Sequence, residues 1–482
     1  MSKPAVLIVD DQPNWRELLF DLLAGEYEVV SVGSYEEALQ KLDRGSSFHV
    51  AVVDIRLNDK DRTNEDGLRL LERLKEQGTS SIIVTGYPST RTTKEALRLG
   101  AFEYLEKYPE DGMVFDPGRF REIVRNAVDD AKKQQEQYAD FALHIGSDGH
   151  ARAVSEQGER RAKISLDIPT EVDLMSELIE QGQTTEELLK KFGQRLYEIL
   201  FPPRIDTHLN ATEAAAPGRK IRIRLTISNS LAQLPWEFLY REERGYFLAT
   251  NPDTVLSHYL DLPLPPGYVR QREGPLHMLT IISNPKDQPQ LDVERWDQIV
   301  REALSKPLGE GQLTLQTVRQ ATFENIEAAL LKPPPPDIVQ FVGHGVYRKG
   351  KGYLALVGES GETWIVDDER FAAIFAGVQD RLGLVCLATC ESAKSDSPQS
   401  FLGIAPQIVQ RGVPAVVAMR YPVCVSTAEI FLESFYKAVA ARKPVDWAVQ
   451  WARNAISIQV GLNNRDFATP VLFMRAKDGN IF

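Results

Sequence analysis

Cysteine is scarce in this chain: Cys386, Cys390 and Cys424 are the three in 482 residues. An odd, sparse set builds no disulfide framework and fits a reducing compartment. Long hydrophobic runs are missing too, since no apolar stretch approaches the ~20 residues that span a bilayer. The run Val6–Val9, close behind Met1, is too short for a signal-peptide core and has no cleavage site after it. These absences predict a cytoplasmic protein without a membrane partner. Basic clusters are also lacking. Against 56 Lys and Arg stand 68 Asp and Glu, for a net charge of −12, which repels nucleic acid at long range. His-Glu-x-x-His, Cys-x-x-Cys, the Walker phosphate loop and the dinucleotide fingerprint do not occur. Hydrophobic residues at 43% and charged residues at 26% are those of folded protein.

What is present is an α/β rhythm in two stretches. Residues 1–132 alternate short apolar runs (Val6–Val9, Val50–Val53, Ser81–Val84, Glu103–Leu105) with helical spacings such as Trp15–Leu23 and Leu68–Leu74. The alternation predicts a doubly wound parallel sheet covered by helices. Residues 133–162 are polar and read as a helical extension and linker. A mixed α+β stretch follows over 163–274, with a strand expected at Lys163–Ile168. The α/β rhythm returns over 275–482.

In an open parallel sheet, chemistry gathers outside the carboxyl ends of the strands. Asp10-Asp11, Asp54, Thr85 and Lys107 all fall at such ends. Clustered carboxylates call for an offsetting cation, and an oxygen-only site near phosphate suits Mg²⁺. A Lys and a Thr supply donors to a transferred phosphoryl group. This pattern resembles the receiver domain of two-component response regulators, a flavodoxin-like (βα)5 fold. The resemblance implies that Asp54 is the phosphoacceptor. It makes Asp10, Asp11, Asp54 and the backbone carbonyl of Arg56 the Mg²⁺ ligands, Thr85 and Tyr104 the switch residues, and Lys107 the phosphate contact. It implies a sensor histidine kinase or phosphotransfer protein as partner, and leaves the oligomeric state open, a homodimer through the last helix being common in the family. Two departures stand out: the acidic insertion Asn58–Glu65, and Lys107-Tyr108-Pro109 where the family has Lys-Pro.

The second half has its own strand-end chemistry. Ile338–Gly345 reads as a strand ending in Gly343-His344-Gly345, and Leu384–Ser392 as a strand ending in Cys390-Glu391-Ser392. Glycines flanking His344 suggest a tight turn that leaves the imidazole accessible. A cysteine at a strand end needs a base to become a thiolate nucleophile, and His344 is the candidate. Cys386 and Cys424 read as packing, and the other six histidines as loop residues. Trp236 reads as core, and Arg420 as paired with an acid. With Leu234–Tyr240, Gly412–Arg420 and Phe431–Arg453, these motifs resemble the CHAT domain, a branch of the caspase- and separase-like cysteine peptidases. The resemblance runs from about Ile164 to Met474. It implies a caspase-like core and a protein substrate. It implies His344 as base and Cys390 as nucleophile, with backbone N–H groups near Gly345 and Cys390 holding the oxyanion. It implies no cofactor for the peptidase. The alternative from another function class is a signalling scaffold whose caspase-like fold only binds protein.

Overall fold

The computed structural model describes residues 3–482 apart from 44–47, 59–60, 62, 77–78, 109–114, 229, 261, 263–273, 349–350, 379, 390–399 and 477. The chain divides into two compact units, one ending at Gln137 and the other beginning at Tyr138.

In the first unit, strands β1 (Ala5–Val9), β2 (Glu28–Val32), β3 (Val50–Val53), β4 (Ser80–Thr85) and β5 (Ala101–Glu106) alternate with helices α1 (Pro13–Leu23), α2 (Tyr35–Asp43), α3 (Asp66–Glu76), α4 (Thr90–Arg98) and α5 (Pro117–Gln137). The sheet is wholly parallel, in the order β2-β1-β3-β4-β5. Short runs such as Val6–Val9 and Val50–Val53 are buried because both faces are covered. One face packs Leu7, Val9, Ala51 and Val53 against α2 and α3. The other packs Val6, Ile8, Val50 and Val52 against α1 and α5. The strand order reverses between β1 and β3, which opens a crevice at their carboxyl ends.

The second unit starts with three strands, β6 (Tyr138–Ile145), β7 (His150–Ser155) and β8 (Gly158–Lys163). The expected linker 133–162 is therefore helical only to Gln137. Ala139, Phe141, Leu143 and Ile145 alternate inward along β6, a period-two pattern hidden by polar neighbours. The strand expected at Lys163–Ile168 lies earlier, and its Glu-Arg-Arg character suits an exposed sheet edge.

The remaining strands are β9 (Lys220–Ile227), the short β10 (Tyr240–Arg241) and β11 (Tyr246–Phe247), β12 (Thr254–Tyr259), β13 (Leu276–Ile282), β14 (Leu313–Val318), β15 (Ile338–Arg348), β16 (Lys351–Val357), β17 (Thr363–Asp367), β18 (Leu384–Thr389), β19 (Ala415–Met419) and β20 (Pro470–Met474). Among the described residues, thirteen strands share one mixed sheet, in the order β14-β13-β15-β18-β19-β20-β12-β9-β6-β7-β8, with β16 and β17 folded against β15. The stretches 163–274 and 275–482 thus meet in one sheet. Their junction is narrow: among the described residues β12 pairs with β20 through His258 opposite Phe473 and Tyr259 opposite Met474, and the Leu260 N–H donates to the Met474 carbonyl at 2.9 Å. The core packs Val339, Phe341, Val385, Leu387, Val416 and Ala418 against flanking helices. Among the described residues, no helix is long and apolar enough to cross a membrane.

Candidate functional sites

In the first unit, β1 delivers Asp10, β3 delivers Asp54, β4 ends in Thr85 and β5 leads into Lys107. Asp10, Asp54, Thr85 and Lys107 are all buried. The Lys107 ammonium lies 2.6 Å from Asp54 Oδ2 and 2.7 Å from Asp10 Oδ2. The Lys107 N–H donates to the Thr85 carbonyl at 2.7 Å, which fixes the root of that side chain. Burial works against the ammonium, but Asp54 and Asp10 outweigh it and hold its pKa above the usual value. Burial pushes the Asp10 carboxyl up to about 6, against the pull of Lys107.

Asp10, Asp11 and Asp54 present carboxylate oxygens that all lie within 4.8 Å of one another. The three carboxylates form a largely buried oxygen cluster, of which the Lys107 ammonium pairs with Asp10 and Asp54. Such a donor set fits Mg²⁺. Arg56 donates its N–H to Asp54 Oδ1 at 3.4 Å, and its guanidinium stacks 3.8 Å over the Tyr87 ring. Thr85 Oγ1 accepts from the Tyr87 N–H at 3.3 Å. Tyr104 is half-buried, and its hydroxyl lies 3.3 Å from Thr92 Oγ1 on α4.

Gly67 was not singled out from the sequence as a site residue. A Cβ there would lie 1.9 Å from the Asp54 carbonyl oxygen. Only glycine lets the start of α3 approach the Asp54 backbone so closely. The insertion 58–65 folds onto itself in part: Asn64 Oδ1 accepts from Leu57 N–H at 3.0 Å, and Asp61 accepts from Thr63.

In the second unit, His344 sits within β15, which does not end at Gly343-His344-Gly345 but runs on to Arg348. Residues 344–348 pair antiparallel with β16, so the expected tight turn is extended strand. Gly343 serves close packing instead. A Cβ there would meet the Phe341 ring at 2.9 Å and Ser283 Cβ at 3.0 Å. Gly345 pairs with Leu354.

His344 is 4% exposed, and among the described residues its Nε2 has no hydrogen-bond partner. Burial lowers its pKa, and a hydrogen bond to the Pro289 backbone opposes this. Cys390 and its neighbours Glu391 and Ser392 lie outside the described residues. Thr389, the residue before Cys390, pairs with Gly343, the residue before His344. Cys386 is buried on the same strand, and burial pushes its thiol up to about 12. That thiol is inert at neutral pH.

Trp236 is fully buried, its Nε1–H donating to the Leu231 carbonyl at 2.9 Å. Beside it, Glu237 is buried among basic side chains. His258 Nε2 lies 2.9 Å away, Arg453 at 3.6 Å and Arg420 at 3.8 Å. Burial opposes the Glu237 charge, but His258, Arg420 and Arg453 outweigh it and hold its pKa at about 2. Arg453 also donates to the carbonyls of Leu256 on β12 and Pro470 on β20, clasping the narrow sheet junction. Sequence reasoning placed His258 among loop histidines. Its seat in the strand pattern Thr254–Leu260 was the available signal.

A model of the response regulator receiver domain matches residues 6–114. A model of the CHAT domain matches residues 190–462, more than half of the chain. Over 131 residues the chain is 34% identical to the response regulator protein PilR of Pseudomonas aeruginosa, covering 27% of each. It is 32% identical over 118 residues to the two-component response regulator PprB of the same organism, covering 22% of this chain and 41% of PprB. The chain thus spans less than half the length of either relative. A solved receiver domain protein (CheY-like) from Methanospirillum hungatei JF-1 is 31% identical, with a TM-score of 0.24, over 28% of this chain and 99% of that one. The chain belongs to the CHAT domain family and carries a response regulator receiver domain ahead of its CHAT domain.

Proposed function

We propose that the protein is a two-component response regulator whose output is a cysteine endopeptidase gated by phosphorylation of Asp54. The single observation that carries the peptidase reading is the register of β15 and β18, which aligns the residues before His344 and Cys390. Adjacent strands in a sheet lie about 4.8 Å apart, so Gly343 and Thr389, the residues that lead into His344 and Cys390, are neighbours across the sheet.

In the receiver reaction, an Asp54 carboxylate oxygen attacks the phosphorus of the donor, a phosphohistidine on a sensor kinase or phosphotransfer protein. The P–N bond breaks, and Lys107 and Thr85 donate to the phosphoryl oxygens. Asp10, Asp11, Asp54 and the Arg56 carbonyl would hold Mg²⁺, which would supply charge neutralisation when bound. Thr85 and Tyr104 carry the switch.

In the peptidase reaction, His344 takes the Cys390 proton. The thiolate attacks a peptide carbonyl of the protein substrate, and His344 returns the proton to the leaving amine. Water then releases the acyl group. With Nε2 unpartnered among the described residues, the bond to Pro289 is assigned to Nδ1, and Nε2 is left as the base. The N–H groups of Gly345 and Cys390 hold the oxyanion.

Chain connectivity supports the gating. α5 ends at Gln137 and β6 begins at Tyr138 with no residue between them. Tyr138 is anchored in the second unit: Arg222 stacks 3.9 Å over its ring and pairs with buried Asp446 at 2.6 Å. Labelling by a peptidyl electrophile tests the enzyme reading. Modification confined to Cys390 and lost in His344→Ala supports it; no modification in any state favours the protein-binding scaffold.

A further inference from the structure

The residue after Lys107 is Tyr108, and it does not stand free. Its ring is 62% exposed, yet its hydroxyl accepts from Trp15 Nε1–H at 3.0 Å. The two rings meet edge to face, 5.7 Å between centroids. Trp15 also meets Phe115 edge to face at 5.1 Å, which holds it from a second direction. The tyrosine ring lies against Gly86, where an added Cβ would come within 3.2 Å of Tyr108 Cε2. Gly86 follows Thr85, so this contact is one residue from the switch hydroxyl.

The Lys107 ammonium lies 5.3 Å over the Trp15 ring. That is within range of a cation–π attraction, which strengthens where water is excluded. Asp10 and Asp54 therefore hold the ammonium by charge, and the indole holds it from the α1 side. Tyr108 in turn fixes the indole by a hydrogen bond and an edge contact.

We infer that Trp15 and Tyr108 are a positioning pair that clamps the Lys107 ammonium against Asp54 and, through it, keeps water from the phosphorus, setting the lifetime of the phosphoryl group. The inference rests on the reading of Asp54 as phosphoacceptor. Neither residue touches the reacting atoms; both act through Lys107. Hydrolysis needs a water in line behind the phosphorus, whereas phosphorylation delivers its own donor. Loosening the clamp therefore speeds loss of phosphate more than it changes its arrival.

The test uses the full chain with acetyl phosphate and Mg²⁺, comparing wild type, Trp15→Leu, Trp15→Phe, Tyr108→Phe and Tyr108→Ala. Loss of an interaction of this class corresponds to about a three- to tenfold rate change. Phosphoryl-Asp54 should decay faster by that factor in Trp15→Leu and Tyr108→Ala, with a smaller rise in Tyr108→Phe and a partial rescue in Trp15→Phe. The rate of phosphorylation should stay within about twofold of wild type. Trp15 is the one tryptophan among residues 1–137. With the other five changed to Phe, its fluorescence should respond to phosphorylation. Equal decay rates in all five proteins, or decay and phosphorylation moving together, would overturn the inference. Absence of Asp54 labelling in wild type would instead sink the phosphoacceptor reading on which it rests.

Discussion

Gly343 and Thr389 face each other in the parallel ladder between β15 and β18, each one residue ahead of a proposed catalytic side chain. The pairing is the ground for assigning two motifs 46 residues apart in sequence to one proposed site. It also sets a pH expectation. Burial lowers the His344 pKa below its ordinary 6.5, so the imidazole is neutral, and basic, at pH 7. Alkylation of Cys390, followed by peptide mapping, should fall away only below pH 6.5 and should lose that acid limb in His344→Ala. A rate in both proteins governed by one group near pH 8.5, the ordinary thiol value, would contradict the pairing.

Lys107→Ala removes the one ammonium between Asp10 and Asp54, leaving two buried carboxylates side by side. Breaking a buried ion pair costs about 3–5 kcal/mol. Denaturant unfolding should show a loss of that size, and Asp54 labelling by acetyl phosphate should vanish. Labelling at the wild-type rate would show that the ammonium has no part in the chemistry.

Glu237 makes a separate pH prediction. Its folded-state pKa of about 2 lies below the ordinary glutamate value of 4.5. Its stabilisation is therefore present above pH 4.5 and is lost as pH falls through about 2. The difference is worth about 3 kcal/mol at neutral pH. Glu237→Gln should be destabilised by about that amount at pH 7. The gap from wild type should narrow as pH drops from 4.5 toward 2, as measured by urea unfolding. A gap that does not change with pH would mean the loss comes from packing alone.

Gly67→Ala should behave as a backbone collision, not a side-chain adjustment, because the added Cβ would lie 1.9 Å from the Asp54 carbonyl oxygen. Overpacking of this kind costs about 3 kcal/mol. Circular dichroism melting should show the loss, and Asp54 labelling should fall with it. A variant with wild-type stability and labelling would contradict the close approach of α3 to β3.

The receiver was legible because its chemistry sits at the ends of short apolar strands. Asp10, Asp54, Thr85 and Lys107 are each marked by the run before them, and the fold brings them together. β6 was less legible. Asp140 and His144 take outward positions between its inward residues and dilute its apolar character, and the preceding Lys132–Gln137 looks like the start of a solvated linker. The straight course of β15 through His344 was hidden for another reason. Glycine permits a turn but does not require one, and here Gly343 answers to the Phe341 ring and Ser283. His258 could not be linked to Glu237 from the sequence, since their pairing depends on the fold around β12.

The most direct test of the central claim is the rate of Cys390 labelling by a peptidyl electrophile in the full chain, with and without acetyl phosphate and Mg²⁺. Wild type, Asp54→Asn and His344→Ala would be compared. A gated peptidase predicts labelling that depends on His344 and changes with phosphate in wild type but not in Asp54→Asn. Identical labelling of wild type with and without phosphorylated Asp54 would contradict the coupling, and no labelling of Cys390 in any state would contradict the peptidase itself.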